Sequence, residues 1–452
     1  MTILDTIETL TATRNLPRPG SRPAPESSIL DTLQRRYDRF ARREPDLKPF
    51  SVRFPGGESR TFGHGAPAAT INIINDAGHA AFGSFDDLAV VESYMQGDLD
   101  LTGDLMELLK YRPLLSDRRI LRYLWSTYLR AAVLGQVRGD KKGIGSHYDV
   151  DASFFELWLD KEIRGYSHGF FENDNESIEQ GMVRKFQYAI DACGLKPGDR
   201  VLDIGGGWGS FLQYGGERGL HVTSVTISES SHRYMTKMIA EKGLRNCAAV
   251  KEHLFEFRSS ERFDGIVNLG VSEHLPNYRA SLAQYERLLK PGARVYLDSY
   301  SGDRFSMGSV VTKWVFEGNT SPLYLPKYVA EVGRTDFEIM LVQDDSYNYY
   351  LTCKKWGENL DRVADEVTRR WGAALYRRFR LYLYGCARSF LDGLLGAHRM
   401  ILQHRAGLRT QRTRVGWRVA ESKSNGPLAT VTGVTRPFKS PPLLYWESSD
   451  RS

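Results

Sequence analysis

The alternation of apolar and polar positions is most regular between residues 196 and 301. Short apolar runs, RVLDIGGGWG (200–209), HVTSVTIS (221–228), CAAVKEHLFEF (247–257), FDGIVNLG (263–270) and ARVYLDSYS (293–301), are separated by longer stretches of helical period. Strand-length apolar runs that alternate with helices predict a parallel α/β sheet covered on both faces. After Gly302 the pattern is broken by WVFEGNTSPLYLP (314–326), which reads as an insertion over the sheet. DFEIMLVQDD (336–345) and YNYYLTCKKW (347–356) read as antiparallel strands, and the text through Gln403 as closing helices.

Upstream, FSVRF (50–54) and ATINIIN (69–75) are short strand-like runs, and residues 85–109 read as helices on a small sheet. The pattern therefore divides the chain into a mobile leader (1–48) that carries a short charged helical stretch, LDTLQRRYDRFARREPD (30–46), a small α+β N-terminal domain (49–115), an amphipathic helix and linker (116–142), a large α/β domain (143–404) and an irregular basic tail (405–452). In the linker, Ile120, Leu121, Leu124, Trp125, Tyr128, Leu129 and Val133 share one helical face flanked by Arg118, Arg119, Arg122 and Arg130. Such a stripe suits docking at a membrane interface, and equally packing between two domains.

Composition narrows the function classes. Of 452 residues 41% are hydrophobic and 26% charged, an ordinary globular balance. Four cysteines, Cys193, Cys247, Cys353 and Cys386, lie without CxxC or Cys/His pairing, so no metal site and no disulfide framework is expected. No run reaches the roughly 20 apolar residues of a membrane span. The N-terminal text lacks a basic-then-apolar signal layout, and a cytoplasmic protein, peripheral at the inner face of the membrane, is expected. The net charge of +6 is concentrated: nine Lys/Arg against three Asp/Glu lie between Arg405 and Ser452. That surplus predicts affinity for an anionic membrane surface. Nucleic acid is not an expected partner, since no motif for a flipped base is present.

The strongest chemical signal is the glycine turn after the first large-domain strand. Gly205, Gly207 and Gly209 follow Asp203, which stands two residues before the first glycine. Glycines let a ligand approach the backbone at a helix start. The spacing differs from the GxGxxG of dinucleotide sites and fits S-adenosylmethionine, whose cationic amino acid end an acid can hold. Thr226 and Ser228 end the second strand, where ribose hydroxyls would be bonded, and Glu252 with His253 follows the third, where an acid suits the adenine amine.

Taken together, GSHYDVDASFFELWLD (145–160), YSHGFF (166–171), LDIGGGWGS, VTIS, NLGVSEHL (268–275), WVFEGNTSPLYLP and YLYGCARSFLDG (382–393) resemble the cyclopropane fatty acid synthases and the related mycolic acid methyltransferases. ESYMQGDLD (92–100) resembles the N-terminal domain of the phospholipid-acting branch. The resemblance implies a class I methyltransferase, a doubly wound sheet, joined to the small α+β domain. It implies transfer of a methyl or methylene group from S-adenosylmethionine to the cis double bond of an unsaturated acyl lipid or phospholipid, giving a cyclopropane or methyl-branched product, with a homodimer as a possible assembly. Tyr148, Tyr166, Ser167 and Trp208 join the cofactor residues on the same ground.

The resemblance also implies a bicarbonate base held by a cysteine, a glutamate, a histidine and a tyrosine. The glutamate corresponds to Glu273 and the tyrosine to Tyr349. The cysteine is replaced by His168 and the histidine by Asp298, which puts bicarbonate in doubt, because a second carboxylate repels an anion at low dielectric. Asp298 paired with His168 is the expected substitute base. Cys386 matches a family cysteine in the late helix, where packing is an equally good reading. Trp158, Tyr278, Trp314, Tyr347, Tyr349 and Tyr350 are candidates to face a cationic intermediate. A C-methylase of another apolar alkene, or a cofactor-binding pseudoenzyme, are the alternative readings.

Overall fold

The computed structural model describes residues 24–44, 46–116, 152–160, 162–302, 314 and 321–405. The linker helix, Tyr148, most of the insertion, the first part of the leader and the tail beyond Arg405 lie outside the described residues.

The N-terminal part begins earlier than the pattern indicated. Helix α1 (Glu26–Ala41) falls within the expected mobile leader, yet it buries Ile29, Leu30 and Leu33. These recur at helical spacing and pack on a four-stranded sheet, which overrides the Pro-rich text before them. The sheet runs β2 (Ser59–Phe62), β1 (Phe50–Arg53), β3 (Ala69–Ile73), β4 (Leu99–Gly103), with β1 and β3 parallel and the outer pairs antiparallel. Helices α2 (Asp76–Gly83) and α3 (Asp87–Gln96) cross between β3 and β4. Their N-caps are Asn75 and Asp86, whose side chains accept from Gly78 N and Ala89 N at 3.0 Å each. A short α4 (Leu105–Leu108) runs into a 3₁₀ turn ending at Leu114.

The large domain carries seven strands in the order β10-β11-β9-β8-β5-β6-β7. β5 (Arg200–Ile204), β6 (His221–Thr226), β7 (Cys247–Lys251), β8 (Phe263–Leu269) and β9 (Leu289–Ser301) are parallel, as the apolar runs predicted. β11 (Gly396–His404) lies antiparallel between β9 and β10 (Phe337–Asp344). This is the class I methyltransferase fold with its mixed sheet. Around it lie α5 (Ala152–Trp158), α6 (Ile178–Cys193), α7 (Ser210–Gly216), α8 (Glu229–Lys242), α9 (Tyr278–Leu288) and α10 (Leu325–Val332). α11 (Ser346–Arg362), α12 (Ala364–Trp371) and α13 (Ala373–Leu391) follow β10.

Two expectations are corrected here. YNYYLTCKKW is not a strand but the start of α11, where Leu351, Thr352, Cys353, Trp356, Gly357 and Leu360 are buried at a helical period. Its aromatic and β-branched residues imitate a strand, but the spacing of its apolar face decides. GAHRMILQH, read as helix, is β11, with Ala397, Arg399, Met400, Leu402 and His404 turned inward.

The two parts touch through α13. Arg380 Nη1 donates to the Tyr94 hydroxyl at 3.3 Å, and Tyr384 belongs to the core of the four-stranded part. Trp314 Nε1 donates to Glu92 Oε1 at 2.9 Å.

Candidate active site

The glycine turn leaves β5 with Gly205, Gly207 and Gly209 at φ +80°, +52° and +75°, a region in which side chains are strained. A Cβ on Gly205 would run into Val271, whereas one on Gly207 would have only the Gly205 carbonyl oxygen nearby, at 3.8 Å. The turn is therefore tight on the β8 side and open above Gly207, which is the cradle a ligand pressed to the backbone requires.

Asp203 lies beneath the turn, fully buried, and accepts from the Ser224 hydroxyl on β6, its register partner. Burial pushes its pKa up to about 6, against the Ser224 bond. Thr226 Oγ1 accepts from Ser228 N at 3.2 Å, and Ser228 caps α8. Glu252 N donates to Thr226 O at 2.9 Å, so the ends of β6 and β7 are tied together, with His253 buried beside them and Trp208 buried under α8. The structure thus gathers these positions at the carboxyl ends of β5, β6 and β7.

The turn leads directly to Glu273. Val271 packs on Gly205, Gly270 stands 3.9 Å from Glu273 Oε1 and 3.4 Å from Ser167 Cβ, measured from the position of an added Cβ, and the Ser272–His274 3₁₀ turn presents Glu273. Glu273 Oε2 accepts from the Ser299 hydroxyl at 2.9 Å and Oε1 from Tyr300 N at 3.3 Å. Burial pushes its pKa up to about 7, and the neighbouring Asp298 charge adds to the rise.

Asp298 is placed differently from expectation. It is fully buried on β9, and its carboxylate pairs with Lys185 Nζ at 3.1 Å. His168 does not pair with it. His168 Nε2 lies 3.5 Å from Asp345 Oδ2, and Arg399 Nε lies 3.2 Å from the same oxygen. Burial alone would raise the Asp345 pKa, but His168, Arg399 and Asn348 hold it below the usual value. Lys185 also donates to the Ser167 hydroxyl, and burial lowers its pKa against the pull of Asp298, Asp345 and Glu273. Two buried cations and two buried carboxylates thus form a neutral platform under Glu273.

Lys185, Asp345 and Arg399 were missed by sequence reasoning, although a signal existed. Lys185 stands on the apolar stripe of α6 between Met182 and Ala189, and Arg399 is an inward position of an apolar strand. A buried charge on an apolar face requires a partner.

Glu273 opens onto a cavity of about 520 Å³, within the range of small-molecule sites. Its Glu273 end includes Tyr166, Gly270, Tyr300, Tyr349 and Trp356, and α13 adds Tyr382 and Cys386. Tyr349 stacks between His168 and Phe390, with centroids 4.8 and 4.4 Å away, and burial followed by the Glu273 charge raises its pKa well above the ordinary value. Burial likewise pushes the Cys386 thiol up to about 12, so it is a neutral wall group. The far end is walled by the N-terminal part through Leu33, Phe50, Ile71, Phe82 and Leu101. Of the six aromatic candidates, Trp314 and Tyr349 line this cavity. Trp158 is core, Tyr278 packs on Tyr328, and Tyr347 bonds Asp174 at the surface. Asp298 and His168 lie behind the wall.

Comparison with known proteins adds a consistent set. A family described as mycolic acid cyclopropane synthetase matches residues 136–400, and a domain of unknown function matches residues 37–114. The chain is 26% identical over 325 residues to a probable fatty acid methyltransferase of Pseudomonas putida, covering 68% of this chain and 80% of that protein. It is 25% identical over 280 residues to cyclopropane mycolic acid synthase 3 of Mycobacterium tuberculosis, covering 58% and 96%. Among solved structures, mycolic acid cyclopropane synthase CmaA1 complexed with SAH and CTAB superposes with a TM-score of 0.54 at 25% identity, over 57% of this chain and 96% of that one.

Proposed function

The chain belongs to the mycolic acid cyclopropane synthetase family and is an S-adenosylmethionine-dependent methyltransferase acting on lipids, and from that premise we propose that it transfers a methyl or methylene group to the cis double bond of an unsaturated fatty acyl chain. The observation that carries this reading is Glu273, a buried carboxyl group of pKa about 7 at the aromatic end of a largely apolar cavity, one contact away from the glycine turn.

S-adenosylmethionine, when bound, supplies an electrophilic methyl group. Gly205 and Gly207 would hold it by backbone approach, Thr226, Ser228 and Glu252 would meet its adenosyl part, and Tyr166, Ser167 and Trp208 would close around it. Asp203 orders the turn through Ser224. An alkene is a weak nucleophile, so the cavity must hold it in line and exclude water. Methylation leaves one acyl carbon cationic. Tyr166, Tyr349, Trp356 and Tyr382 present aromatic surface to it. Glu273, ionised as pH rises above about 7, accepts the proton. Loss from the new methyl closes a three-membered ring, whereas loss from a neighbouring carbon leaves a methyl-branched alkene.

The residues here do not fit a bicarbonate. His168 faces Asp345 beneath the Tyr349 ring, Asp298 is an acceptor already joined to Lys185, and the cations of the platform are engaged by carboxylates. In this reading Glu273 takes the proton itself and Asp298 acts through its ion pair. The expected role of Asp298 as the base is therefore replaced.

The substrate would be drawn from an anionic membrane surface. Leu391 and Leu394, 42% and 64% exposed, lie at and just beyond the end of α13, and Leu394 lines the cavity. Among the described residues no helix is long and apolar enough to cross a membrane. Incubation with S-adenosylmethionine and vesicles of cis-monounsaturated phosphatidylglycerol should release S-adenosylhomocysteine, and saturated vesicles should not. Equal release from both would remove the alkene from the reading.

A further inference from the structure

We propose that Arg378 holds the anionic group of the lipid, a phosphodiester or a carboxylate, at the α13 wall of the cavity, an assignment that rests on the lipid reading above.

Among the described residues, four lysine and arginine side chains line the cavity. Three are satisfied within the protein: Lys110 lies 2.8 Å from Glu107, Arg112 2.9 Å from Asp87, and Arg388 Nε donates to Asp392 at 2.6 Å. Arg378 has no such partner among the described residues. Its Nε is shielded from water without an acceptor, and its guanidinium carbon lies 5.4 Å from the Phe379 ring. Burial lowers its pKa with no charge opposing the shift. A partly desolvated guanidinium with no anion is unfavourable, and the penalty is relieved when an anion arrives. The planar fork matches phosphate and carboxylate oxygens in pairs.

Its position fits that task. Arg378, Leu381, Tyr382, Gly385, Cys386 and Ser389 follow one another at i, i+3, i+4, i+7, i+8 and i+11, so a single face of α13 walls the cavity. Arg378 is the first residue of that face, and Cys386 stands about 12 Å further along the helix axis. A lipid with its charged group at Arg378 would lay its chain along the rest of this face, past the aromatic end where Glu273 opens.

The test uses the full chain and three probes of one length: dodecyl phosphate, dodecanoate and dodecanol, titrated calorimetrically. Replacing a charge-assisted hydrogen-bonding group should weaken the anionic probes about 10- to 100-fold in Arg378→Gln, leave dodecanol unchanged, and leave Arg378→Lys between the two. Selective loss for the phosphate identifies a phospholipid headgroup, and for the dodecanoate a free fatty acid. An equal loss for all three probes, or none for either anion, overturns the assignment. Because binding needs no turnover, failure of methyl transfer would refute the proposed reaction and leave this test intact.

Discussion

Replacing Lys185 with Met removes one charge from an ion pair whose members are both fully buried, 3.1 Å apart. The methionine fills nearly the same space, so the main loss is electrostatic: Asp298 remains in the interior with its counter-ion gone. Breaking a buried pair from one side typically destabilises by about 3–5 kcal/mol, a large part of the roughly 5–15 kcal/mol that holds a domain together. Urea unfolding at pH 7.5 should show a loss of that size. Adding Asp298→Asn removes the stranded charge, so Lys185→Met/Asp298→Asn should recover at least about 2 kcal/mol relative to Lys185→Met. The same single change strips a cation from the vicinity of Glu273, so the pH at which activity is half-maximal should move upward from about 7. A loss below about 1 kcal/mol in Lys185→Met, or strictly additive effects in the pair, would refute the platform described here.

Glu273→Gln keeps the shape, and its single amide oxygen can still accept from Tyr300 N while the amide donates to the Ser299 hydroxyl, but the base is gone, and the rate should fall on the order of 10²- to 10⁴-fold with folding intact. The wild-type rate should rise with pH through about 7, because the carboxylate form is the active one. The sign for stability is opposite: a carboxyl whose folded pKa is raised from 4.5 to about 7 stabilises the fold fully below pH 4.5, and about 3 kcal/mol of that is lost as pH rises through 7. Comparing urea midpoints of wild type and Glu273→Gln at pH 5 and 8 checks this. Gly205→Ala should abolish cofactor affinity or unfold the turn, since its Cβ meets Val271 at φ +80°, and titration with S-adenosylhomocysteine measures it. Carbonate-free buffer should leave turnover unchanged, and stimulation by added bicarbonate would restore an external base.

Much of this was legible in the chain because strand-length apolar runs and the glycine turn are local signals. β5 to β9 and the turn at Gly205 follow from spacing, whereas Glu273 after β8 was marked by the resemblance of NLGVSEHL to the family. What failed was non-local. The segment 347–356 has strand-like residue types, and its burial at a helical period emerges only once α13 packs on it. Asp298 was read with His168 because nothing local shows that β9 meets α6 at Lys185, or that β11 brings Arg399 opposite Asp298. The joint cavity was likewise invisible, since its far wall is built by α1, β1, β3 and β4 of the other sheet.

The central claim is that carbon is delivered to an acyl double bond within this cavity. Mass spectrometry of the released acyl chains after reaction of the full chain with S-adenosylmethionine bearing a trideuterated methyl group tests it most directly. The account predicts an acyl chain heavier by one methylene, carrying two deuterons in a ring or three on a branch, formed on the order of 10²- to 10⁴-fold more slowly with Glu273→Gln. Label confined to the headgroup, or absent from every cis-unsaturated lipid offered, would contradict it.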